Sequence, residues 1–310
     1  MQTILGATGQ IGTELAIELN KNYTSQIRLV SRKPKKVNDT DELVRANLLD
    51  AAETQNAVAG SNIVYFCAGL PLNTEKWVNQ WPVMMQNVIN ACAHHNAKLV
   101  YFDNTYMYPQ TSELMTEECR FEPYGQKGKA KAQTATLLLD AIKAKKVQAM
   151  ICRAPEFYGP NKTQSITNAT ILYKLLKDKP AKVFVSDSTL RTLIYTPDAS
   201  KAMALLGNTT DAYNQTWHLP CDDNRLTYKQ LIDLASEILQ RPCEYKVVKA
   251  WQLKLLSIFR KPLREILELL PRYEVDNRFV SDKFKQRFPD FKVTTYRQGL
   301  ESILRAKKSS

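Results

Sequence analysis

A short apolar strand, Thr3-Ile4-Leu5, runs directly into Gly6, Gly9 and Gly12, three glycines spaced by threes. A helical pattern follows at once, with Ile11, Leu15, Ala16 and Leu19 on one face. Strand, tight turn and helix N-terminus in that order form a cradle for a pyrophosphate. Backbone N–H groups and the positive end of the helix converge on one place. Gly6 supplies the turn, Gly9 lets the backbone approach a phosphate with no Cβ between, and Gly12 lets the helix lie close to the sheet. Thr8, Gln10 and Ile11 complete the expected phosphate loop. A glycine-rich turn without a ligand is the alternative.

The next apolar run, Ile27, Leu29 and Val30, reads as a second parallel strand, and its end meets the adenosine ribose in a dinucleotide fold. An acidic residue there bonds the ribose 2′-hydroxyl of NAD(H). This chain offers Ser31, Arg32 and Lys33 instead, a cationic fork suited to a 2′-phosphate. NADP(H) is therefore the expected cofactor, with NAD(H) left open. Asn47 and Leu48 are expected against the adenine. The run Asn62–Gly69 reads as a strand ending in the small residues Cys67, Ala68 and Gly69, which admit a cofactor backbone.

A helix is expected over Trp81–Asn96 with Pro82 in its first turn, then a strand over Lys98–Asp103. Asn104, Thr105, Tyr106 and Tyr108 follow it directly, where polar groups line the crevice of such sheets. Gln126–Lys145 reads as a long amphipathic helix and Val147–Cys152 as a strand. Strand–helix alternation of this kind means a Rossmann-type, doubly wound parallel sheet in an α/β fold, with a smaller mixed α/β C-terminal lobe for substrate. The expected division is 1–155 for the nucleotide-binding domain, to which elements of 183–200 return, and 156–310 for the lobe. In that lobe, helices are expected over Ile166–Lys177 and from Thr227, as N-cap, to Leu239, with a strand over Lys182–Val185. Arg191–Asp198 leads into another helix, with Asp198 charging its first turn. Trp251–Leu270 reads as a basic amphipathic helix pair broken at Pro262, its apolar face expected to be buried against the main lobe rather than laid on a membrane. Lys307–Ser310 is a charged tail expected to fray.

The 310 residues carry 43 Lys and Arg against 31 Asp and Glu, a formal net charge of +12. The cations sit in separate groups with no aromatic interleaving, so no nucleic-acid partner is expected, only attraction for an anionic cofactor. No apolar run is long enough to span a membrane, and the chain starts on a strand, which argues against a signal peptide. The six cysteines form no CxxC pair and the three histidines have no metal-ligand spacing. Reduced thiols, a cytoplasmic location and no metal are expected; a homodimer is left open.

Gly6-Ala-Thr-Gly9-Gln-Ile-Gly12, Asn87 in the helix after Cys67-Ala-Gly69, Arg153-Ala-Pro155-Glu-Phe-Tyr-Gly-Pro160 and Arg191–Asp198 together resemble the extended short-chain dehydrogenase/reductase superfamily, in its NAD-dependent epimerase/dehydratase branch. The resemblance implies that Asn87 and Pro155 lie by the cofactor and that the substrate is a small molecule, often a nucleotide-linked sugar. It also implies a Ser or Thr, a Tyr, and a Lys four residues after the Tyr. On a helix that lysine shares a face with the tyrosine and lowers its pKa, so that the phenol exchanges a proton as hydride moves. The matching tyrosine here is Tyr124, followed four residues later by Gly128, with Lys127 as the near neighbour; Asn104 stands at the serine position beside Thr105. Two readings follow. Tyr124, Lys127, Thr105 and Asn104 form a shifted working site in an NADP(H)-dependent oxidoreductase or epimerase. Alternatively, the scaffold binds NADP(H) with a degenerate site and a regulatory role, and Lys127, Lys129 and Lys131 are a solvated helix face.

Overall fold

The runs Gln2–Leu5, Ile63–Phe66 and Ala149–Arg153 are almost wholly buried along their length, as parallel strands covered on both faces must be. In the computed structural model, which describes residues 1–161 and 164–305, they belong to one seven-stranded sheet. The tail expected to fray, Lys307–Ser310, lies outside the described residues. The strands are β1 (Gln2–Leu5), β2 (Ile27–Ser31), β3 (Glu42–Arg45), β4 (Ile63–Phe66), β5 (Lys98–Asp103), β6 (Ala149–Arg153) and β7 (Thr216–His218). Their order is β7-β6-β5-β4-β1-β2-β3, with all neighbours parallel. The expected Rossmann-type α/β fold is present. Winding reverses between β1 and β4, and ligands of such sheets bind beyond the strands' carboxyl ends at that switch point.

Four helices connect the strands: α1 (Gln10–Asn22), α2 (Ala51–Val58), α3 (Thr74–His94) and α4 (Gly125–Lys143); α5 (Thr196–Gly207) precedes β7. The α3 helix starts seven residues earlier than its sequence reading. Asn73 caps it, the side chain accepting a hydrogen bond from Lys76 N at 2.8 Å, so Pro82 sits inside the helix and not in its first turn. Burial of Trp77, Trp81, Met84, Met85 and Val88 compensates the backbone hydrogen bond that Pro82 cannot donate.

The chain forms two compact units. The first comprises residues 1–107, 126–154 and 199–219, and holds the sheet. The second comprises 108–125, 155–198 and 220–310. Its core gathers Tyr158, Leu172, Val183, Tyr228, Leu231, Leu300 and their neighbours under the helix Tyr228–Leu239. Thr227 caps that helix in a reciprocal pair with Gln230, as the sequence indicated. The expected helix over Ile166–Lys177 contains a π-helical stretch, Asn168–Leu172, before Tyr173–Leu175. Asp198 lies in the first turn of α5, but its carboxylate accepts hydrogen bonds from Thr294. Inside this unit Glu156 meets the Arg191 guanidinium and accepts a hydrogen bond from the Tyr228 hydroxyl at 2.9 Å. Burial pushes its carboxyl up, yet Arg191 and Arg272 outweigh that and hold it below the ordinary value.

The helix pair broken at Pro262 departs from expectation. Ala250–Ser257 and Lys261–Leu267 are two helices, with Pro262 in the first turn of the second. Only Leu253 and Ser257 of the first are buried, and Trp251, Leu255, Leu256, Ile258 and Phe259 are exposed. Its apolar residues exceed what one inner stripe of a two-turn helix can cover.

The phenols of Tyr65, Tyr101, Tyr158 and Tyr273 are each held well above their ordinary pKa, burial being the largest cause. The native state keeps these protons after the unfolded chain has released its own, so their contribution is complete below about pH 10 and lost as pH rises beyond it. In an alkaline titration, the phenolate absorbance of these four should appear together with loss of the circular dichroism signal. Full phenolate absorbance with the fold intact would contradict the burial assigned to them.

Candidate nucleotide and proton-transfer site

The loop between β1 and α1 is held chiefly by backbone: Gly6 N and Ala7 N donate to Val30 O, and Gly9 N to Gly6 O. Gly6 has a φ of +88°, and a Cβ there would run into the backbone of Ala68, the small residue just beyond β4. A Cβ on Gly12 would lie 2.9 Å from Ala7 Cα and 2.9 Å from Gly6 O. Both positions are closed to side chains whether or not a ligand is present. Gly9 differs: the nearest atom to an added Cβ is Gly6 O at 3.4 Å. Gly9 is also the N-cap of α1, with no side-chain cap and no acidic residue in the first turn. Room over an uncapped helix start is what an approaching anion requires. Thr13 ties helix to loop by donating to Ala7 O at 3.1 Å. The donor set therefore fits a dinucleotide diphosphate.

The other nucleotide-side residues lie at neighbouring strand ends. Ser31 closes β2, its hydroxyl accepting from Lys33 N, and Arg32 and Lys33 are exposed just beyond it. Lys35 and Lys36 continue this cationic run, and the first acid is Asp39. Asn47 is exposed and Leu48 buried after β3. Asn87 donates to Leu48 O at 3.0 Å, fastening that loop to α3. Cys67 is buried, which pushes its thiol far up, while Ala68 is partly open and Gly69 exposed. Pro155 is buried and begins the second unit's middle segment.

At the end of β5, Asn104 accepts from Tyr106 N at 3.0 Å and Thr105 is buried. The Tyr106 ring stacks on Trp77, centroids 5.7 Å apart. Lys127 is fully buried in α4 and donates to the Thr74 hydroxyl at 2.6 Å. One turn further on, Lys131 is buried too. Its Nζ lies 2.7 Å from Asp103 Oδ1, donates to the Tyr101 hydroxyl, and sits 4.1 Å from the Trp81 ring centre. Tyr101 in turn donates to Asp103, and Arg153 Nε stands 3.6 Å from the other Asp103 oxygen. Burial pushes the Lys131 ammonium down, against the pull of Asp103; burial and then the Asp103 charge raise the Tyr101 phenol.

Residues 3–218 match the sequence pattern of the NAD dependent epimerase/dehydratase family. The chain belongs to that family. It is a family of enzymes. Among solved structures, the fold is similar to UDP-glucuronic acid 4-epimerase from Bacillus cereus in complex with UDP-glucuronic acid and NAD, at TM-score 0.81 and 17% identity, covering 100% of this chain and 99% of that one. It is also similar to UDP-glucose 4-epimerase from Thermus thermophilus in complex with NAD, at TM-score 0.77 and 14% identity, covering 100% of both chains. The uncharacterized protein y4nL of Sinorhizobium fredii is 24% identical over 132 residues, an alignment spanning 42% of this chain and 36% of that relative. Among the described residues no helix is long and apolar enough to cross a membrane.

Tyr124 and Lys127, expected as near neighbours on one helix, do not share one. The α4 helix begins at Gly125, whose φ is +70°, so Tyr124 lies ahead of it and is exposed. Helical spacing therefore does not bring Tyr124 and Lys127 together. A solvated lysine face fails as well: only Lys129 is exposed. The sequence reading also missed Lys131, Asp103, Tyr101 and Trp81 as one cluster. The signal was the spacing of Lys127 and Lys131, four apart and in line with the small or apolar positions Ala130, Ala135 and Leu138.

Because Asp103 is the anion for two buried cations, Asp103→Asn should destabilise by about 3–5 kcal/mol in denaturant unfolding. Lys131→Met, which leaves Arg153 beside Asp103, should cost less than half of that. Equal losses would show that Arg153 takes no part in the balance.

Proposed function

We propose that this chain binds a nicotinamide dinucleotide on the β1–α1 loop, prefers the 2′-phosphorylated form, and acts as an oxidoreductase or epimerase on a carbonyl or secondary alcohol. One observation supports the reading above the rest. Gly6 and Gly12 are demanded by the packing of the chain itself, while Gly9 leaves space over an uncapped helix start. The solved epimerases of like fold hold NAD, and one also holds UDP-glucuronic acid, which favours a nucleotide-linked sugar as substrate.

In this proposal the loop amides and α1 hold the diphosphate, and Arg32 and Lys33 hold the 2′-phosphate. Thr8, Gln10 and Ile11 line the loop, Asn47 and Leu48 face the adenine, and Ala68, Gly69, Asn87 and Pro155 border the rest. A bound nicotinamide supplies the hydride chemistry. Lys127 holds a ribose hydroxyl, Thr105 and Asn104 position the reacting oxygen, and Tyr124 gives or takes the proton. A second reading, binding without turnover, is favoured by Gly128 at the family's lysine position and by the Lys127–Thr74 hydrogen bond.

Gly9→Val should leave the melting temperature within a few degrees of the parent and weaken NADP⁺ binding by about a hundredfold or more in calorimetry. Arg32→Glu should reverse the preference between NADP⁺ and NAD⁺. Undiminished binding by Gly9→Val would remove the loop from the site. A panel of ketones and nucleotide-linked keto sugars with NADPH then separates the two readings: turnover lost in Tyr124→Phe supports the enzyme with Tyr124 as its acid, and tight binding with no turnover supports the second.

A further inference from the structure

The helix Ala250–Ser257 turns one face inward and a different one to solvent. Leu253 joins Phe184 and Leu270 in a small core of the second unit, and Ser257, four residues on, is buried beside that stripe. Successive helical residues are rotated by about 100°, which puts Trp251 and Leu255 opposite Leu253 and Ser257. The exposed residues continue through Ile258 to Phe259, and Phe259 is 84% exposed and Trp251 65%. Trp251 and Phe259 are the two largest apolar side chains of this segment, and both stand exposed. The turn that carries them is built. Arg264 reaches back to donate to Ser257 O at 2.8 Å and Ile258 O at 2.6 Å, fixing the chain where Phe259 projects.

Charge selects the occupant. From Lys249 to Arg264 the chain carries Lys249, Lys254, Arg260, Lys261 and Arg264, all exposed, and no acidic residue. A second copy of the chain would bring the same cations against these in a two-fold contact, which is repulsive. A polynucleotide would use the cations and leave five large apolar side chains without a role. An anionic bilayer uses both: acyl chains take Trp251, Leu255, Ile258 and Phe259, and headgroup phosphates take the surrounding ammonium and guanidinium groups. We propose that the Ala250–Phe259 face docks this protein on anionic membrane surfaces. Contact is peripheral, since the helix has only eight residues.

The test uses the full chain and two vesicle populations, phosphatidylcholine alone and phosphatidylcholine mixed with phosphatidylglycerol. The protein should sediment with the second and not the first, and raised salt should weaken the association. Trp251→Ser combined with Phe259→Ser should reduce partitioning at least about tenfold. Lys254→Gln combined with Lys261→Gln should also reduce it, with the apolar residues intact. All four side chains are exposed, so an unchanged melting curve is expected, and NADP⁺ binding in calorimetry reports the other site separately. Failure to sediment with phosphatidylglycerol vesicles would overturn the proposal, as would full binding by the Trp251→Ser/Phe259→Ser variant. Self-association or polynucleotide binding that needs these residues, without vesicle binding, would give the face to another partner and overturn it too.

Discussion

Everything at the nucleotide end of the sheet depends on the missing side chain of Gly6. The chain leaves β1 with a positive φ and passes so close to Ala68 that a methyl group would not fit. That approach joins the ends of β1 and β4, the two strands between which the winding reverses. It also sets where α1 begins, and Gly12 then lets the helix lie against Ala7. Two glycines thus satisfy the packing, and the third, Gly9, keeps one surface of the turn clear. A loop built only to turn would not need the third position bare.

A second constraint is charge taken out of water. Lys127 and Lys131 lie inside the first unit, and Arg191, with the mostly covered Glu156 against it, inside the second. Each has partners at bonding distance, as buried charge requires. Lys131 shares Asp103 with Arg153 and rests on the Trp81 ring, so its ammonium is held by an anion, a phenol and an aromatic face together. The cluster reaches from the end of β5 to α4 and β6. It thereby fixes the strand ends on which Asn104 and Thr105 stand.

Much of the fold was legible in local pattern, because buried parallel strands are continuous apolar runs and their connecting helices are amphipathic. Strand β5 has the bounds its sequence indicated, and Thr227 caps the helix it was read to cap. Partner choice over distance was not legible. Pro82 invited a helix start at Trp81, while the cap formed by Asn73 lies eight residues earlier. A solvated face was an open alternative for the lysines of α4, because Asp103, the anion of Lys131, is more than twenty residues away in the chain. Only the family resemblance put Tyr124 on a helix with Lys127, and Gly125, at positive φ, sets it apart from α4. The apolar residues around Phe259 were read as buried because composition alone does not say which surface they meet.

The account rests on main-chain amides of the β1–α1 turn closing on a diphosphate. Amide hydrogen exchange of the segment from Thr8 to Gly12, with and without saturating NADP⁺, reports on those N–H groups; Gly6, Ala7 and Thr13 beside it already donate within the chain. Exchange there should slow sharply when the nucleotide is added, and more than in the helices distant from the turn. Nucleotide bound with this segment exchanging as fast as before would contradict the account, as would no binding at all.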